Sequence, residues 1–290
     1  MNDSTLSAPL RVLRALPLVA CGLALLHSPL RSQEVVVVEG FAASEAAKHD
    51  TRADVYLVAN INGEPTGADD NGFISRVAPD GTVENMRWID GSAGDFTLNA
   101  PKGMDFLDDM LLVADIDHVR AFDRVTGEYR TSWPIPDAAF LNDVTVRDGV
   151  IYVTDTGRSA LWRIENGTPS LVASGDDFGN ANGVDGDEHG LAVVLWRGGA
   201  KRVDPVTGET MDLPAPEGAQ LDGIVLMADG SYIVSSWSQR GVLRVSADGE
   251  VTTILADTPQ AADIAYDAER NRILVPTFEN RLHIVPLGSH

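Results

Sequence analysis

From residue 34 onward the chain is built of short runs in which apolar and polar residues alternate, each run closed by a turn-forming pair. The segments that begin at Leu141 and Leu221 show this most plainly, with β-branched and aromatic residues at every second position. A side-chain period of two predicts strands. The pairs Asp148-Gly149, Asn166-Gly167, Asp229-Gly230 and Asp248-Gly249 predict the hairpin turns between them. No stretch carries a sustained helical period, so the chain reads as all-β.

The runs also recur at a fixed spacing. Second strands are expected to end at Asp115, Asp155, Leu195, Ser235 and Pro276, and thirteen residues before these stand Lys102, Asn142, Asn182, Asp222 and Asp263. Steps of 40, 40, 40 and 41 residues separate these five. A four-stranded unit of about 40 to 45 residues is one blade of a β-propeller. A first unit begins near Glu45 and is lengthened by a polar insertion over residues 61–72, which makes six blades. The last unit has room for only three strands, so a strand over residues 34–39 is expected to complete it and close the ring. The expected fold is a six-bladed β-propeller that takes up residues 34–290 as one domain.

In a propeller the innermost strand of each blade begins near the central axis. The six starts here are Glu45, Lys102, Asn142, Asn182, Asp222 and Asp263, all polar or charged. Taken singly, each is an ordinary turn residue. Gathered in one register at a partly buried axis, acids and amides with a single cation are costly unless something positive compensates them. A hard divalent ion held by carboxylate and amide oxygens, Ca²⁺ above all, is the natural compensator. Lys102 either neutralises Asp263 or Glu45 or binds an anionic group of a substrate. The loops after the second strands should line the same face with Asn60 and the insertion that follows it, His118, Arg158, Trp196, Arg197, Trp237 and Phe278. That set suggests a pocket for a compact, partly apolar molecule, although the two Trp would serve equally as packing between blades. His118 is a candidate acid or base, with a solvated loop histidine as the plainer reading.

Composition narrows the partners. Among 290 residues, 22 Lys and Arg face 43 Asp and Glu, for a net charge of -21. A surface this acidic excludes nucleic-acid binding through a basic face. One Cys allows neither an internal disulfide nor a thiolate metal cluster, so any metal is held by oxygen or imidazole. Residues 1–33 read as an export signal, in which Arg11 and Arg14 precede an apolar run too short to span a bilayer. Leu18-Val-Ala-Cys21 also resembles a lipoprotein signal, which makes Cys21 a candidate lipid anchor. The remaining chain is then periplasmic or extracellular and carries no transmembrane span.

Several segments together resemble a known superfamily: Asn71-Gly-Phe-Ile-Ser-Arg-Val, Leu98-Asn-Ala-Pro-Lys-Gly-Met, Phe140-Leu-Asn-Asp, Ala181-Asn-Gly, Leu221-Asp-Gly and Leu274-Val-Pro-Thr-Phe. The sequence looks like the six-bladed propellers that include senescence-marker protein (regucalcin), gluconolactonases, luciferin-regenerating enzyme, paraoxonases and squid-type diisopropyl fluorophosphatase. The resemblance implies a catalytic divalent cation, usually Ca²⁺, held by a Glu, two Asn and an Asp, which match Glu45, Asn142, Asn182 and Asp222. It implies a hydrolase of lactones or related esters, in which Asp222 or metal-bound water drives attack on a small-molecule substrate. Two other readings stand beside it. One is a non-catalytic propeller whose structural Ca²⁺ accompanies a ligand or protein partner, since fold does not fix function. The other is an enzyme like strictosidine synthase, against which the Glu, Asn, Asn, Asp set argues.

Overall fold

The computed structural model describes Met1 and residues 34–288. The expected export segment, with Cys21, lies outside the described residues. Those from 34 onward form six antiparallel four-stranded sheets, with two single turns of 3-10 helix, Gly91–Ala93 and Asp176–Phe178. Among the described residues no helix is long and apolar enough to cross a membrane.

Five sheets are consecutive in the chain and meander outward from inner strands at Ser44–Asp50, Pro101–Leu107, Leu141–Arg147, Ala181–Asp187 and Leu221–Leu226. These are blades 1 to 5. Blade 6 takes Ala265–Asp267, Arg272–Thr277 and Arg281–Pro286 from the end of the chain, and its outer strand is Val36–Glu39, paired antiparallel to Arg281–Pro286. The Asp148-Gly149 and Asn166-Gly167 pairs have positive φ at both residues, 52° and 77° in the first, as a two-residue hairpin turn requires. The other two predicted pairs sit in five-residue connections, Met227 to Ser231 and Ser246 to Glu250, where only the glycine has positive φ.

The core is not central. Among the described residues, buried apolar side chains form six clusters, each between two neighbouring blades. Leu57 and Ile74 of blade 1 pack on Leu111 and Phe122 of blade 2. At the other end of the series, Val58 and Tyr56 of blade 1 pack on Leu274 and Leu282 of blade 6. Each sheet therefore buries both faces, which accounts for the continuous burial of second strands such as Val55–Asn60. At roughly 1.5–3 kcal/mol for each large aliphatic side chain removed from water, these interfaces hold the ring and leave the axis free to be polar.

One backbone device sets what lies at the axis. In blade 2, Pro101 stands opposite Asp115 but Met104 stands opposite Val113, so three steps on the inner strand match two on its partner. Blades 3, 4 and 5 repeat the shift at the equivalent place, and blade 1 makes it between Ser44 and Ala46. In blade 6 it falls between the bridge Ala261 to Thr277 and the pair Ala265 to Leu274. A bulge puts one extra residue into a strand and re-aims a side chain. The residues within these bulges include the six predicted starts. Gly103, Gly183 and Gly223 follow three of them, and a methyl group at any one would collide with the bulge of the next blade. The Lys-Gly, Asn-Gly and Asp-Gly pairs are thus close-approach sites between blades and not turns.

Candidate functional site

The bulges of blades 1 to 5 bring Glu45, Lys102, Asn142, Asn182 and Asp222 to the wall of one cavity of about 210 Å³. Two hydroxyls of the neighbouring blade 3 fix the strand that carries Asn182: Thr154 Oγ1 donates to the Asn182 carbonyl and Thr156 Oγ1 to that of Ala181, each at 2.6 Å. Asp155 accepts the backbone N–H groups of Ala139 and Phe140 at 3.0 Å, which fixes the approach to Asn142.

The rest of the wall comes from the residue that directly follows a second strand. Ile61, Thr156, Trp196, Trp237 and Phe278 hold this position in blades 1, 3, 4, 5 and 6, and all five line the cavity with Pro65 and Phe140. Trp196 meets Trp237 edge to face at 5.1 Å, and Trp237 meets Phe278 in the same way at 5.2 Å. The two Trp therefore pack across blades and line the cavity at once. Residues one or two places further on do not line the cavity. His118 lies at the start of a third strand and bonds Asp117 at 2.6 Å. Arg158 donates to the Asp137 carbonyl. Neither lines the cavity, nor does Arg197. Asp263 occupies the blade 6 bulge but lines a second cavity of about 220 Å³ with Lys48, Asp143 and Asp185. Ile61 and Pro65 belong to the insertion after Asn60 expected on this face, whereas Phe140 and Thr156 are lining residues that the sequence pattern does not single out. Phe140 stands directly before Leu141-Asn142 in the sequence, and Thr156 holds the position of Trp196 without its bulk.

Four buried oxygens in this cavity have no hydrogen-bond partner: Glu45 Oε2, Asn142 Oδ1, Asn182 Oδ1 and Asp222 Oδ1. Leaving a buried acceptor unmade costs about 1–3 kcal/mol, so four in one place call for a shared partner. All four are hard oxygen donors, two anionic and two neutral, the set that suits Ca²⁺. The other oxygen of Asp222 accepts the Trp237 indole N–H at 2.7 Å.

Electrostatics agree with this. Burial pushes the Asp222 carboxyl up to about 7, against the pull of the Trp237 hydrogen bond. Burial, with repulsion from Asp222, raises Glu45 well above the usual carboxylate range even though Lys102 opposes it. Burial also lowers the Lys102 ammonium to about 8, resisted by Glu45 and Asp115. Two carboxylates that resist ionisation without a positive partner describe a site prepared for a cation.

Comparison with solved structures fits the same architecture. The fold is that of the gluconolactonase propellers. A gluconolactonase from Xanthomonas campestris superposes with a TM-score of 0.67 at 16% identity, over 88% of this chain and 89% of that one. A streptogramin B lyase structure gives 0.66 at 11% identity, over 88% and 98%. An inactive virginiamycin B lyase from Staphylococcus aureus, solved with quinupristin, gives 0.58 at 14% identity over 88% and 100%. No protein-family model and no curated protein matches the sequence. With the gluconolactonase fold shared at such low identity, the site's chemistry rests on this chain's own geometry.

Proposed function

We propose that this chain is a divalent-cation-dependent hydrolase of lactones or related carboxylic esters, with Ca²⁺ as its cation. The observation that carries the reading is the group of four unpartnered oxygens on Glu45, Asn142, Asn182 and Asp222, set against an aromatic wall in one cavity. A cation held there supplies a Lewis acid that polarises a carbonyl and offsets the charge developing on its oxygen.

The chain's own residues do the rest. Trp196, Trp237, Phe278, Phe140 and Ile61 give an apolar face for the carbon frame of a small substrate and keep bulk water away from the carbonyl. Asp222 is the residue placed to take a proton from the attacking water. Its Oδ1 is one of the four unpartnered oxygens, while its Oδ2 is anchored by the Trp237 indole, which orients the carboxylate and lowers its basicity. Proton transfer to Oδ2 requires that indole bond to lengthen, so Trp237 is tied to the step as a positioning residue. Lys102 supplies fixed positive charge from the opposite side of the ring. With the export signal read from residues 1–33, the proposal is of a periplasmic or extracellular enzyme.

Hydrolysis of a panel of aldonolactones, acyl lactones and aryl esters, with and without chelator, tests the proposal on the wild type and Asp222→Ala. Turnover that is lost on chelation, restored by Ca²⁺ and absent from Asp222→Ala supports it. Activity that survives both treatments refutes it. Inert substrates with a Ca²⁺-raised melting temperature would instead support a structural cation in a ligand-binding propeller.

A further inference from the structure

Lys102 is the one basic residue lining the aromatic cavity among the described residues, and no part of it is exposed to solvent. Its Nζ donates to the Ala100 carbonyl of its own blade at 2.8 Å and lies 4.7 Å from the centre of the Phe140 ring. Among the described residues the ammonium makes no ion pair. Glu45, in the same cavity, keeps Oε2 without a partner, so that oxygen and the ammonium do not satisfy each other. An ammonium carries three donors, and one neutral carbonyl takes only one of them. Glu45 and Asp115 attract the ammonium without bonding it, and the ring face offsets a further part of the cost of burial, but neither satisfies its remaining donors.

The placement adds a direction. Inner strands touch in chain order around the ring, so blade 2 stands across the axis from blade 5. Lys102 and Asp222 therefore face each other, with Glu45 and Asn142 on the blades either side of Lys102. A cation among the four unpartnered oxygens would share the cavity with this ammonium. Two like charges at such range repel, so Lys102 works against cation binding. A negatively charged group on the bound substrate would offset both.

On the hydrolase reading above, we infer that Lys102 selects for lactones or esters that carry an anionic group of their own, a carboxylate on the carbon frame. The ammonium is its counter-charge while the reacting carbonyl lies toward Asp222. Substrate selection and cation affinity are then coupled with opposite signs through one residue.

Two probes distinguish this from other roles: neutral glucono-δ-lactone and glucaro-γ-lactone, which bears a free carboxylate. Binding of each to the Ca²⁺-loaded protein is measured by calorimetry at neutral pH, and turnover is measured alongside. The wild type should prefer the carboxylated lactone at least about tenfold in binding. Lys102→Met should lose about tenfold of that preference while binding Ca²⁺ alone several-fold more tightly, an opposed pair of changes that a structural role would not give. Lys102→Gln serves if the Met variant melts early. Absence of a preference in the wild type, weaker or unchanged Ca²⁺ binding in the neutral variants, or an equal loss for both lactones would overturn the inference. Equal loss would mean that Lys102 serves the reaction's own developing charge. If the wild type hydrolyses neither these lactones nor any member of the wider panel, the hydrolase reading fails, and the binding preference still decides the role of Lys102.

Discussion

Two acidic cavities lie along the same inner strands, and they differ in what their oxygens touch. In the second cavity, Asp143 accepts the N–H groups of Val144 and Val184 at 2.7 Å, and Asp185 accepts those of Gly186 and Leu226 at 2.8 Å. Lys48, on its wall, reaches Asp105 at 2.9 Å, and Asp105 also accepts the Val146 N–H. Burial alone would lower the Lys48 ammonium, but Asp105, with Asp185 and Asp143, holds it above its ordinary value. The aromatic cavity contains fewer carboxylates, yet four of its oxygens are without partners. Acidic residues in number do not make a site. Acceptors that the fold has left unmet do, because the fold supplies backbone donors to one cavity and withholds them from the other.

The contrast is tested most severely by Asp222→Asn, which keeps shape and removes charge. It should lower kcat/KM on any lactone the wild type turns over by about a thousandfold and abolish the Ca²⁺-induced rise in melting temperature. Retention of that rise would break the assignment of the aromatic cavity.

Next in size is the pH dependence of the cation-free protein. Asp222 and Glu45 are raised in the folded state above their unfolded values, so the native chain binds more protons between the ordinary carboxylate range and about pH 7. Stability should therefore fall as pH rises through that window, on the order of 2–4 kcal/mol. Saturating Ca²⁺ should remove the share due to Asp222 and Glu45 and reduce that of Asp263, which burial and repulsion from Asp143, Glu45 and Asp222 raise, while most of the share of Asp143, which burial raises, should remain. Denaturant melts at pH 5 and pH 7, with and without Ca²⁺, measure both parts.

Lys48→Met makes the converse test. It strands Asp105 and should destabilise the fold by about 2 kcal/mol, less than for a fully buried pair because Lys48 keeps 31% side-chain exposure. The Ca²⁺-induced rise in melting temperature should be unchanged, and its loss would mean that the two cavities are not independent.

The smallest effect is expected from Trp237→Phe. Losing the indole N–H leaves Asp222 Oδ2 without its donor, and that donor lowers the Asp222 pKa. The acid limb of a pH–rate profile should move up by about one unit, and the melting temperature should fall by a few degrees for the lost buried hydrogen bond. An unshifted limb would detach Asp222 from proton transfer.

Much of this architecture was legible in the sequence. The 40-residue step found the blades because every blade bulges at the same place, so Lys102, Asn142, Asn182 and Asp222 recur in register. Asp263 shows where that logic stops. It holds the equivalent bulge, but it sits at the seam, where its N–H donates to the Glu45 carbonyl and its own carbonyl accepts the Ala47 N–H. It lines the second cavity. Spacing locates a residue on the axis without saying toward which cavity its side chain turns. His118, Arg158 and Arg197 fail for a related reason: in blades 3 and 4, which carry Arg158 and Arg197, only the first residue past the second strand lines the cavity, while His118 opens a third strand, and composition alone does not reveal where each second strand stops. The unpartnered oxygens were not legible at all, since they depend on which backbone donors neighbouring blades bring within reach.

The account turns on whether those four oxygens hold one hard cation. Titration of the cation-free protein with Ca²⁺ by calorimetry at pH 8, on the wild type and on a variant combining Asn142→Leu with Asp222→Asn, measures it most directly. One ion per chain in the wild type and none in the variant is the predicted result. A wild type that takes up no Ca²⁺, or a variant that takes up as much as the wild type, would contradict it.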